Sequence, residues 1–234
     1  MSRRKQKTPV VLIYAQFPPG EDSGATRSIE PWVREAEAIF GHQPQFDVIS
    51  LFGTDARHDR IVQVLRRVRS RKGLVAFYGA GCECGSALFE DQIALQRDDM
   101  PLMPAIGLLD AGLLSNKIVY VVACHSGKLL GRSLTDGRHS TTYIGYEDEV
   151  SASDEESVDF DSIQVPGFQE SVNSGLTVLH EGGTCREARD RIYDEYQWWI
   201  DYWMERNDMP KVLTLIGNQQ ALSLAIGNPR ESLM

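Results

Sequence analysis

Cys124-His125-Ser126-Gly127 follows the apolar run Ile118 to Ala123. A cysteine at the mouth of a strand, with a glycine and a helix start behind it, gains acidity from the helix N-terminus and from nearby backbone N–H groups. That placement suits a nucleophile; the plainer reading is a small buried hydrophobe, as most free cysteines are. A thiolate needs a base, and the place to look is the end of a neighbouring strand. The run Leu74 to Tyr78 ends in Gly79-Ala80-Gly81-Cys82-Glu83-Cys84-Gly85, and Ala80 lies 44 residues before Cys124. A Gly-x-Gly at a strand end reads as a site, because glycine admits close approach of the backbone. The residue between these glycines is an alanine, which does no chemistry. Cys82 and Cys84 offer a metal only two ligands, and no second pair at zinc-like spacing accompanies them, so no metal is expected.

These residues must be positioned by a sheet. Short β-branched runs predict strands at 9–17, 46–52, 74–79, 117–124 and 141–146. Helical periodicity fills the gaps: 28–40 places Ile29, Trp32, Val33, Ala36 and Ile39 on one face, and 59–71 turns Ile61, Val64, Leu65 and Val68 inward. Segments 101–114 and 128–134 continue the alternation. Strand alternating with helix predicts an α/β fold with a mostly parallel central sheet and helices on both faces, whose working residues lie past the carboxyl ends of the strands. Helices are further expected at about 166–179 and 185–206, and a strand with a return strand at 211–216 and 221–226. Residues 147–161 hold eight carboxylates in fifteen positions and read as a mobile acidic loop reaching to about 165.

At 234 residues and 42% hydrophobic composition, one large domain is expected. The net charge of −9 argues against direct nucleic-acid binding. No apolar run approaches the ~20 residues of a membrane span and no signal pattern opens the chain. The expectation is a cytoplasmic protein with reduced thiols and no membrane partner. The first strand-to-helix turn lacks a dinucleotide or Walker fingerprint, which argues against a nucleotide site.

The pair "AFYGAG" and "VVACHSG" resembles the two signature motifs of the caspase-like (clan CD) cysteine peptidases, which include caspases, metacaspases and CHAT peptidases. Cys124-His125-Ser126-Gly127 reproduces a metacaspase-like motif, and "ALSLAIGNP" is similar to the ending of many CHAT domains, with Asn228 where aspartate is usual. The resemblance implies a single three-layer α/β/α caspase-like domain over 1–234, with Cys124 as nucleophile and Gly79 and Gly81 supplying an oxyanion N–H donor. It also implies a general-base histidine where this chain has Ala80. An alanine between both expected glycines is what a His-to-Ala change would leave, either engineered or native to a pseudoenzyme. His125 should point away from the cysteine by strand alternation. His42, His58, His139 and His180 are expected to be surface or packing residues.

In this family the position two before the cysteine helps choose the substrate; here it is Val122, so neither a caspase nor a metacaspase preference carries over. Glu21 and Asp22, with Glu147, Asp148 and Glu149, are the candidate pocket carboxylates, favouring a basic residue before the scissile bond; a solvated acidic loop is the alternative. The acidic segment has oxygens enough for Ca2+ but no loop motif for it, so no cofactor is assigned. The partners implied are a protein substrate and an activating protein, in a prokaryotic stress or defence setting by family analogy. The alternative is a pseudopeptidase that binds peptide without cutting it.

Overall fold

A computed structural model describes residues 6–14, 30–81, 87–89, 106–136, 141–151, 165–225 and 231–233. Within them the central sheet has six strands in the order β2-β1-β3-β7-β8-β9: β1 Thr8–Tyr14, β2 Phe46–Phe52, β3 Gly73–Tyr78, β7 Lys117–Val122, β8 Thr142–Tyr146 and β9 Leu222–Ala225. The first five are parallel and β9 returns antiparallel on β8. Strands β1, β3 and β7 are buried on both faces apart from Thr8, which is why they read as unbroken apolar runs. A second sheet joins β4 Ala80–Gly81, β5 Ala87–Phe89 and β6 Ile106–Gly107.

One face of the central sheet carries α1 Glu30–Gly41, α4 Phe168–His180, α5 Cys185–Met204 and α6 Met209–Ala221. The other carries α2 His58–Val68, the 3-10 turns of Leu108–Leu113, and a π turn at Gly127–Gly131 running into α3 Arg132–Leu134. The result is a three-layer α/β/α fold with a mostly parallel sheet. The face predicted for α2, Ile61, Val64, Leu65 and Val68, is what packs; of that predicted for α1, Trp32, Val33 and Ala36 are buried, Ile39 is half-buried, Ile29 lies outside the described residues, and Phe40 is buried in addition.

Two elements differ from the sequence expectation. Residues 211–216 form helix, not strand. Asp208 accepts from the Lys211 N–H at the N-cap and Pro210 sits in the first turn, so a helix start overrides the β-branched composition. In the expected helix at 101–114, the described part is the two-residue β6 followed by 3-10 turns, with the Asp110 carboxylate accepting from Gly107 N–H at 3.0 Å. A helix at 128–134 is present, but its first part is π. Among the described residues no helix is long and apolar enough to cross a membrane.

Buried polar groups tie the layers together. The Tyr78 hydroxyl donates to Asn173 Oδ1 at 2.8 Å, and Asn173 Nδ2 donates to the Trp32 carbonyl at 2.9 Å. The Tyr146 and Tyr196 hydroxyls meet at 3.0 Å. At the amino ends of the strands, fully buried Lys117 donates to the carbonyls of Arg69 (3.2 Å), Arg71 and Ser115 (3.4 Å).

Candidate functional site

Parallel pairing of β3 and β7 runs from Gly73 opposite Lys117 to Tyr78 opposite Val122. Position 80 lies two residues past Tyr78 and Cys124 two past Val122, so each follows the carboxyl end of one of two neighbouring strands. The Gly79 N–H extends the ladder by donating to the Val122 carbonyl at 3.2 Å. That bond occupies the Gly79 donor and leaves Gly81 as the member of the expected oxyanion pair to consider. Ala80 and Gly81 themselves pair antiparallel with Phe89 and Leu88.

Beyond Val122 the chain turns, and residues 124–126 are no longer strand. The alternation expected for His125 therefore does not apply. His125 takes φ +53°, a left-handed conformation uncommon for a side chain of its size, and is 7% exposed. Its Nδ1 is buried without a hydrogen bond and lies 3.6 Å from Asp148 Oδ1. Ser126 folds under the turn, its hydroxyl accepting from Tyr146 N–H at 3.3 Å. Gly127 is closely packed here: a Cβ would stand 3.1 Å from Glu147 Cγ and 3.2 Å from the Tyr146 carbonyl oxygen, closer than ordinary contact.

Residues 147–151 are the main surprise. The sequence reads them as the start of a mobile loop, yet they form a strap fixed across Cys124. Glu147 N–H donates to the Ala221 carbonyl (2.8 Å) and His125 N–H to the Asp148 carbonyl (3.0 Å). Val150 N–H donates to Cys124 Sγ at 3.3 Å, and Sγ lies 3.5 Å from the Val150 carbonyl oxygen. Asn218, buried on α6, closes the strap by accepting from Ser151 N–H (2.9 Å) and donating to its carbonyl (2.7 Å). Residues 152–164 lie outside the described residues.

The strap changes the expected chemistry of the thiol. Burial pushes the Cys124 pKa up from its ordinary value, the Val150 N–H opposes this, and the Glu149 and Asp148 carboxylates add to the rise. The thiol is therefore less acidic than an ordinary cysteine, chiefly through burial, the reverse of the acidification expected from a helix start.

Of the candidate pocket carboxylates, Asp148 and Glu149 are brought to Cys124. Glu147 is exposed and turned toward Arg132 (3.8 Å) and Ser223 Oγ (3.3 Å). Glu21, Asp22, Cys82, Cys84 and His139 lie outside the described residues. His58 lies 3.8 Å from Asp110, and His180 packs on Phe40 and Phe46. Among the described residues no group of three or more metal-ligating side chains forms. Val150, Ser151 and Asn218 are not legible as site residues in the sequence because their contacts join distant segments; Asn218 falls between the strands expected at 211–216 and 221–226.

No protein-family model matches the sequence, and no curated protein matches it. Among solved structures, the chain is similar to a secreted C11 cysteine protease from Bacteroides thetaiotaomicron, "iotapain", at 11% identity and a TM-score of 0.47. The likeness covers 82% of this chain and 63% of that one.

Proposed function

We propose that this chain has the framework of a caspase-like cysteine endopeptidase, with Cys124 as nucleophile and the base position occupied by Ala80. The observation that supports the reading is the register of β3 and β7, whose last pair, Tyr78 opposite Val122, stands two residues before position 80 and two before position 124. A histidine at 80 would take the thiol proton, the thiolate would add to the scissile carbonyl, and the imidazolium would protonate the leaving amine. The Gly81 N–H is the candidate donor to the oxyanion. Asp148 and Glu149, exposed beside Cys124, support a basic residue before the scissile bond. With alanine at 80 both proton transfers are lost, and this copy does not turn over substrate.

A second reading, peptide capture without cleavage, is favoured by one observation: the thiol is raised in pKa and already engaged by Val150. Ala80→His separates the two. The peptidase reading expects cleavage of peptides after arginine or lysine, with labelling of Cys124 by an electrophile carrying a basic side chain. A folded Ala80→His variant with neither activity, tested with candidate protein partners and with Ca2+, would sink that reading and leave the capture reading.

A further inference from the structure

Residues 57–72 carry seven arginines and lysines against one carboxylate, in a chain of net charge −9. Arg71 is paired with Asp47 and Lys72 with Glu231. Arg60, Arg66 and Arg67 are exposed along the outer face of α2, and none forms an ion pair among the described residues. Across the sheet, the second half of α5 shows solvent acidic side chains and no basic one, whereas its first half carries Arg186, Arg189 and Arg191. Asp194, Trp198, Asp201 and Glu205, spaced i, i+4, i+7 and i+11, make one exposed stripe. The Trp198 indole is 55% exposed and stacks on Tyr202 at 5.6 Å. Rings of this helix already take cations: Arg206 lies 3.4 Å from the Tyr202 centroid and Lys211 4.6 Å from that of Trp203.

The two faces match in spacing as well as in charge. Arg60 and Arg67 are seven residues apart, as are Asp194 and Asp201, so each pair spans about 10 Å along its helix. The geometry points to a second copy of this chain as the partner: the α2 arginines of one molecule dock on the α5 stripe of the next, two guanidiniums on two aspartates with Trp198 between them. Because α2 and α5 lie on opposite faces of the sheet, one molecule cannot satisfy both faces itself. The contact is head-to-tail and propagates into an open row rather than closing as a symmetric dimer.

Sedimentation of the full chain over a wide concentration range tests this. Association is expected to grow with concentration at low salt and fade at high salt, where exposed charges are screened. Arg60→Glu with Arg67→Glu, or Asp194→Arg with Asp201→Arg, should each weaken it by about tenfold or more, since like charges then face each other. Mixing the two variants should restore assembly. All four positions are exposed, and circular dichroism is the check that the variants fold. A single monomeric species in every condition, or association that both variants retain, overturns the proposal. So does a wild-type chain that stays monomeric but binds a single-stranded oligonucleotide through the same arginines.

Discussion

Cys124, the proposed nucleophile, carries a thiol that its surroundings make less acidic. Its folded pKa lies above the ordinary value, so the fraction ionised at neutral pH is smaller than for a free cysteine. Alkylation of Cys124 by iodoacetamide should therefore be slow at neutral pH and rise with a midpoint above that of an unfolded control. Glu149→Gln removes one carboxylate that raises the thiol, and the midpoint should move down. An unchanged midpoint would show that Glu149 does not act on the sulfur. The position of this residue was legible in sequence, because an apolar run ending in Cys-His-Ser-Gly marks a strand mouth. Its protonation was not, since that depends on Asp148, Glu149 and Val150 arriving from the end of another strand.

The strap and the helix that holds it are one device. Asn218 makes two hydrogen bonds to the Ser151 backbone from a buried position, so Asn218→Ala leaves two backbone groups without their partners. The expected cost is about 1–3 kcal/mol in denaturant unfolding. Loss of the clamp should also speed alkylation of Cys124. Destabilisation with an unchanged alkylation rate would mean that the strap does not shield the thiol. Most elements were legible: 46–52 is a strand with the expected limits, and both long helices of 166–206 appear. The failure at 211–216 is instructive, since Val212, Leu213 and Ile216 suit a strand by composition while the helix-starting signal lies outside that window, in Asp208 and Pro210. The strap was illegible for another reason, because high charge predicts solvation whereas these residues are held mostly through backbone groups.

Across the whole molecule the sheet has two unlike ends. The carboxyl ends of β3 and β7 lead into the candidate site, and the amino end of β7 buries a lysine. Lys117 falls from 10.5 to about 8, chiefly by burial and secondarily by the Arg71 charge, while three carbonyls surround the ammonium. Between about pH 8 and 10.5 the unfolded chain binds more protons at this residue than the folded one. Its contribution to stability therefore rises with pH over that window, by up to about 3 kcal/mol. Above 10.5 the contribution is fully present; it is lost as pH falls through about 8. Comparing the unfolding free energies of the wild type and Lys117→Met across this range should show the rise in the wild type alone. Parallel curves would show that the carbonyls compensate the buried charge fully.

The tyrosine hydroxyls beneath the site bear on the alanine at 80. Tyr78 is the last residue of β3 and Tyr146 the last of β8; each is pinned from below, by Asn173 and by Tyr196. The strand ends beside Ala80 and under the strap are thus anchored by residues that take no part in the proposed chemistry. Selection for folding and selection for catalysis fall on different side chains here. A substitution at position 80 would leave both of these anchoring hydrogen bonds in place.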